Sequence, residues 1–225
     1  MLGTPRRHYR RTDSTNARIR ALAETGAPHG CLVTAGEQTA GRGRQGRIWT
    51  APANRALLMS LLIRHPPRLL PLAAGVAVAE VCGTGAQLKW PNDVLVDARK
   101  VAGILVEGRP QEAWAILGIG LNVALDPTDL PNELRGTAGS LNQSPDKIEP
   151  ILSRLLDRLT VWTTAEQRSI LDAVRQRDAL RGQPVSWTGG HGIAAGIDEQ
   201  GRLIVETGAG AGRQVLESGE VHLSV

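Results

Sequence analysis

The run ALLMSLLI at 56–63 limits the fold more than any other stretch of this chain. It carries no charge, and it is far shorter than the roughly 18 apolar residues that cross a bilayer. It reads as a buried strand, which requires covering layers on both faces of its sheet. A glycine-rich polar stretch (38–54) precedes it, and Pro66, Pro67 and Pro71 follow, so both ends are punctuated.

The rest of the chain can supply those layers. Thr12 to Asn16 can cap a helix whose apolar face is Ile19, Leu22 and Ala23 and which Gly26 ends. CLVTAGE (31–37) reads as a strand, and Leu72 to Val81 as a small-residue helix stopping near Gly83. Short strands follow at 87–90, 94–96 and 101–108, the last two joined by a turn at Asp97–Lys100. Another strand-like run covers 113–123, then a loop with proline and glycine (124–145), then helical spacing over 146–180. From Gly182 onward the texture becomes short β-like pieces divided by glycines, with hairpin-turn chemistry at Asp198–Gly201. The expected class is α+β: a mixed β-sheet with flanking helices over 1–180, and a small β-barrel over 181–225.

Composition excludes several functions. Removing Arg6, Arg7, Arg10 and Arg11 from the formal net charge of +4 leaves the remainder neutral, which argues against a broad nucleic-acid face. That basic start is expected to be a solvated, mobile end. No apolar segment suggests a membrane span or secretory leader, and the two cysteines, Cys31 and Cys82, have neither disulfide nor metal spacing. The expected compartment is the cytoplasm. Only three of the 26 basic residues are lysines, yet Lys89 and Lys100 fall within one twelve-residue stretch, KWPNDVLVDARK. A compact ammonium does work that a guanidinium does not.

GRGRQGRIW (41–49) suits neither helix nor strand. Its bare backbone can wrap a ligand, and its guanidiniums can grip carboxylate or phosphate. It lacks the P-loop pattern, and taken alone it reads equally well as a basic loop directed at nucleic acid. KWPNDV (89–94) offers charge, a flat ring, an amide and a carboxylate, or simply a polar turn with Trp90 in the core. DSTN (13–16) offers ligand donors or a helix cap, and Asn122 in GIGLNV stands at a strand end.

In this order and spacing, DSTN, EQTAGRGRQGRIW, LKWPNDV, KVAGILVE and GIGLNV resemble the biotin protein ligases. GIAAGIDEQGRLIVE resembles that family's small SH3-like domain. The resemblance implies a class II synthetase-like catalytic domain that binds biotin and ATP, followed by the SH3-like module. It implies activation of biotin as biotinyl-5′-AMP and transfer to one lysine of the biotin carboxyl carrier domain of an acyl-CoA carboxylase. By matching position, Ser14, Thr15, Asn16 and Gln38 would meet the ureido end of biotin. Arg42, Gly43 and Arg44 would wrap the biotinyl chain and phosphates, and Arg47 would lie near the triphosphate. Trp49 would wall the site, and Lys100, with Gly103 behind it, would sit at the carboxylate. Asn92, Asp93 and Asn122 would face phosphates, Asp93 also Mg²⁺. Lys100, Arg42 and Asp93 are the catalytic candidates, Asp93 as the group that helps deprotonate the acceptor lysine.

Two departures qualify the pattern. Ala195 stands where many relatives carry a basic residue, which puts a phosphate contact from the small domain in doubt. About a dozen residues precede DSTN, so the chain is expected to be the monofunctional type without a DNA-binding domain or operator binding. Lipoate or octanoate ligases and transferases share the fold idea, but a transferase needs a nucleophilic cysteine, and both cysteines lie in apolar contexts. A non-catalytic biotin or nucleic-acid binder would not require Lys100 together with Asp93. Oligomeric state, a homodimer included, is left open.

Overall fold

The structure, a computed structural model, describes residues 1–108, 113–208, 212–217, 219 and 221–223. The first sheet has seven strands. In chain order they are β1 (Arg6–Tyr9), β2 (Leu32–Ala35), β3 (Ala56–Arg64), β4 (Gln87–Lys89), β5 (Asp93–Val96), β6 (Arg99–Gly108) and β7 (Trp114–Asn122). Their spatial order is β1-β2-β3-β7-β6-β5-β4, antiparallel except for the parallel β1–β2 pair, which makes the sheet mixed. The apolar run is β3, and every residue from Ala56 to Ile63 is buried.

Its two faces are covered by different layers. Leu57, Met59, Leu61 and Ile63 join the main core, where α2 (Leu70–Cys82) packs with α4 (Ile148–Trp162) and α5 (Gln167–Gln176). Leu62 turns the other way, to a smaller cluster with Ile19 and Ala23 of α1 (Thr15–Glu24), Val33 and Ile116. Helix α2 is apolar nearly all round because it lies between sheet and helices. Helix α1 covers only the β2–β3–β7 part of its face. The remainder of that face, over β7, β6 and β5, is left for the site.

Two sequence expectations are corrected here. The basic start is not a mobile tail: Arg6–Tyr9 is an edge strand, and Arg6 makes a two-pronged contact with Glu149 at 2.7 Å on each oxygen. The pairing with β2, 26 residues away, gives those arginines a framework that local sequence did not reveal. The 124–145 stretch is not all loop. It holds a 3-10 turn (Pro127–Asp129) and the short α3 (Asn132–Arg135).

Beyond α5, five strands form a second, antiparallel sheet: β8 (Pro184–Trp187), β9 (Gly190–Ile197), β10 (Leu203–Glu206), β11 (Arg213–Leu216) and β12 (Val221–Leu223), in the order β11-β10-β9-β8-β12. Its buried side chains, among them Val185, Leu203 and Val205, continue the main core. The β9–β10 turn anchors it. Trp90 Nε1 donates to the Gly201 carbonyl at 3.0 Å, and Arg175 pairs with Glu199 at 2.6 Å.

Candidate active site

The cleft is built on missing side chains. Alternation along β7 and β6 puts Gly118, Gly120 and Gly103 on the face that α1 leaves open, and the register pairs Gly103 with Gly120. Side chains from elsewhere occupy the space. A Cβ on Gly118 would collide with the Asn16 amide, and one on Gly120 with the Trp49 indole. At Gly103 a Cβ would come within 3.0 Å of the Trp49 ring and 3.4 Å of Lys100 Nζ. The glycines therefore form a flat floor on which an aromatic ring and an amide lie directly against backbone.

A β-bulge aims Lys100. The pairing of β5 with β6 runs Asp93↔Gly103 and Val94↔Ala102, then slips to Leu95↔Lys100, leaving Val101 as the extra residue. One extra residue reverses the parity of the strand, so Lys100 joins Gly103 on the cleft face while Val101 stays in the core. A two-residue turn closes this hairpin, with Asp97 and Ala98 both in the left-handed region at φ 50° and 58°. Lys100 Nζ then lies 2.7 Å from Asp93 Oδ1 as an ion pair and 5.7 Å from the centre of the Trp49 ring. The segment after α3 clamps the same point: Lys100 N donates to the Thr137 carbonyl, and Gly139 N to the Lys100 carbonyl, each at 2.8 Å.

The glycine–arginine run folds as a tight hairpin. Trp49 N donates to Gly41 O at 3.0 Å, Gly43 N to Arg47 O at 2.7 Å, and a 3-10 turn (Arg44–Gly46) closes the tip. Gln45 and Gly46 take positive φ there, which the glycine tolerates freely. Arg42 reaches Glu107 at 3.7 Å, and Arg44 Nη1 donates to Asn92 Oδ1 at 3.1 Å. Asn92 is fixed in turn by its own bond to the Ile104 carbonyl.

At the other end, Ser14 is the N-cap of α1 by position but makes no side-chain cap bond. Thr15 N and Oγ1 both donate to Gln38 Oε1, at 2.7 and 3.0 Å. With its oxygen so held, Gln38 keeps its NH₂ as a donor. Asn16 is tied at both atoms, accepting from Ser60 Oγ at 2.5 Å and donating to Glu107 Oε2 at 2.6 Å. Ser14, Thr15, Asn16 and Ser60 are all buried.

These parts line one cleft of about 610 Å³, a size suited to small-molecule ligands. Every sequence-predicted site residue lines it: Ser14, Thr15, Asn16 and Gln38 at one end, then Trp49, Lys100, Gly103 and Asp93, with Arg42, Gly43, Arg44, Arg47, Asn92 and Asn122 completing the wall. Ala195 does not line it; the small sheet reaches it instead through Gly219, Val221, His222 and Leu223. Sequence reasoning missed Ser60, Glu107, and Leu130 and Leu134 around α3. Ser60 departs from an otherwise apolar strand and Glu107 closes the KVAGILVE motif, while nothing in the sequence marked the two leucines. Among the described residues, three buried polar atoms in the wall have no hydrogen-bond partner: Trp49 Nε1, Asn122 Oδ1, and Asp93 Oδ1, which is held instead by its ion pair with Lys100. Elsewhere, burial pushes the Cys82 thiol up to about 12 and the Cys31 thiol upward as well, so neither is a ready nucleophile.

The mixed sheet, glycine floor and arginine hairpin define a class: an α+β protein whose cleft has buried, mutually bonded polar groups at one end and guanidiniums at the other. The chain belongs to the biotin/lipoate A/B protein ligase family, whose sequence pattern matches residues 9–123, and the biotin protein ligase C-terminal domain matches 181–224. It is 39% identical to a biotin–[acetyl-CoA-carboxylase] ligase of Mycobacterium tuberculosis, across 92% of this chain and 84% of that one. It is 35% identical to the bifunctional ligase/repressor BirA of Bacillus subtilis, across 88% of this chain and 68% of the other. Its fold is similar to a biotin protein ligase from Aquifex aeolicus solved in complex with biotin and ATP, with a TM-score of 0.81, 26% identity, and coverage of 98% and 100%.

Proposed function

We propose that this chain joins biotin to AMP at the expense of ATP and then passes the biotinyl group to a lysine of a biotin carboxyl carrier domain. The observation that carries this reading is the placement of Lys100. The ammonium stands between a neutral polar pocket and an arginine hairpin, paired with Asp93 at 2.7 Å. A carboxylate approaching a triphosphate meets electrostatic repulsion at that junction, and a fixed point cation offsets it.

In this reading the ureido head lies among Ser14, Thr15 and Gln38, with Asn16 supporting them, and the valeryl chain runs over Gly103 and Trp49. The carboxylate oxygen attacks the α-phosphorus beside Lys100, Arg42 and Arg44, and pyrophosphate leaves past Arg47. Trp49 and the hairpin exclude water that would hydrolyse the mixed anhydride. The acceptor lysine, ordinarily of pKa about 10.4, then attacks the acyl carbon; AMP departs and the amine proton goes to Asp93. Residues 1–180 would serve as the catalytic domain and 181–225 as the SH3-like module, in a cytoplasmic enzyme.

Mg²⁺ fits this residue set. Asn122 Oδ1 is a buried acceptor without a partner, and Asp93 adds one carboxylate. Among the described residues no group of three or more His, Cys, Asp or Glu gathers as a cage. Sparse protein oxygens supplemented by phosphate and water suit this ion. Asp93 and Asn122 would hold it, and it would neutralise phosphate charge.

Pyrophosphate release with ATP and Mg²⁺ tests the reading. Release is expected with biotin and not with lipoate or octanoate; release with lipoate alone would reassign the chain within its family.

A further inference from the structure

Glu107 closes the KVAGILVE motif (100–107), but the sequence reading gave it no role. It follows Gly103 and Leu105 by four and two residues on β6, which puts it on the cleft face at the head end of the floor. Three donors from two elements converge on its carboxylate. Asn16 Nδ2 of α1 donates to Oε2 at 2.6 Å. Arg20, one turn further along α1, lies 3.8 Å from Oε1, and Arg42 of the hairpin lies 3.7 Å from the same oxygen. Arg20 is itself braced over the Trp114 ring at 5.9 Å.

The contact decides how Asn16 stands. Its Oδ1 accepts from Ser60, and its amide rests on bare Gly118. Reversing that amide would set an oxygen against the Glu107 carboxylate, so one orientation is selected. Ser60 Oγ also lies 2.8 Å from Thr15 Oγ1, whose residue holds Gln38. A chain of polar contacts thus runs from Glu107 through Asn16, Ser60 and Thr15 to Gln38, in which the two hydroxyl protons of Ser60 and Thr15 are shared among three contacts and Thr15 N holds Gln38 independently. The same carboxylate reaches the base of the hairpin through Arg42.

Resting on the ligase reading above, we propose that Glu107 is a positioning residue for biotin. It orients the donors that meet the head group and ties Arg42 to the pocket floor before substrate arrives. The bond to Asn16 is short and the two arginines are longer ion pairs, so the amide contact carries most of the effect. The negative charge strengthens that contact and balances two guanidiniums, which a neutral amide cannot do.

Steady-state pyrophosphate release tests this with Glu107→Gln and Glu107→Ala. Gln is expected to raise the KM for biotin about fivefold and Ala more than tenfold, on the scale of hydrogen bonds to charged groups. The KM for ATP and kcat should stay within about twofold. Combined with Arg42→Gln, Glu107→Gln should cost less than the product of the single effects. Should the Ala variant fail to fold, the near-isosteric Gln variant still decides. A wild-type KM for biotin in Glu107→Gln, an equal rise in the KM for ATP, or fully multiplicative effects with Arg42→Gln would overturn the proposal. Absence of biotin-dependent release from the unchanged chain would instead overturn the ligase reading on which it rests.

Discussion

The two ends of the cleft are built on opposite principles. At the head end the polar groups are buried and tied to one another: Thr15 to Gln38, Ser60 to Asn16, Asn16 to Glu107. At the other end, like charges gather on one hairpin, and Trp49 Nε1 and Asn122 Oδ1 are buried without partners. A buried polar group left unpaired costs about 1–3 kcal/mol, and clustered guanidiniums repel. The first end is already shaped, its polar groups bonded to one another. In the ligase reading the second is completed by the ligand: an oxyanion offsets the guanidiniums and accepts from Trp49 Nε1, while Asn122 Oδ1, an acceptor, is left for a cation. In the ligase reading those costly groups stand where charge develops, which aims them at the transition state.

The contrast can be broken from either side. The largest effect is expected from Gly120→Val, which would drive Trp49 off the floor and remove the wall shared by both ends. Pyrophosphate release should fall by about 10³ or more, following the penalty for misplacing reacting groups. Next, Asn122→Ala should lower kcat about a hundredfold, on the scale of losing one transition-state donor or ligand, while biotin still raises the melting temperature. Ser60→Ala should do the reverse, raising the KM for biotin about tenfold by leaving Asn16 Oδ1 unpaired, with the KM for ATP unchanged. If Asn122→Ala and Ser60→Ala gave the same kinetic signature, the division between ends would be wrong.

The smallest effect serves as a control outside both ends. Asp178 lies beneath the Trp90 turn, its Oδ1 accepting from Leu180 N at 2.9 Å and its Oδ2 buried without a hydrogen-bond partner. Burial holds its carboxyl above the ordinary value of 3.8. The folded protein therefore favours the protonated form, and stability is lost as pH rises from the unfolded pKa through the folded one. Asp178→Asn is expected to raise the melting temperature at pH 7 by roughly 2–4 °C, the shift that 1 kcal/mol produces in a chain of this size. The gain should shrink below pH 4, and activity should not change. Thermal melts at the two pH values check the sign.

What the sequence disclosed and what it hid follow from the range of the interactions. GRGRQGRIW, KWPNDV and DSTN were legible because each packs several functional groups into adjacent positions. Strand β3 was legible because an uncharged run of that length has few places to go. The role of Glu107 was not: it is the last residue of KVAGILVE, but its meaning comes from Asn16, 91 positions away. The bulge that turns Lys100 into the cleft was hidden for a related reason: it exists only in the register between β5 and β6. Arg6 to Tyr9 read as a tail because an edge strand of arginines has no pattern of its own until β2 and Glu149 provide one. Leu130 and Leu134 stood in a stretch with too little periodicity to predict α3 or its place at the cleft.

The central claim is that Lys100, turned inward by one extra residue in a strand, is the cation that lets a carboxylate meet a triphosphate. The most direct measurement compares Lys100→Ala with the unchanged chain in two readouts, biotin-dependent pyrophosphate release and the melting-temperature rise caused by biotin. The account predicts release reduced at least a hundredfold while most of the biotin-induced rise survives. Release at the unchanged rate, or loss of biotin binding with no further loss at saturating biotin, would contradict it.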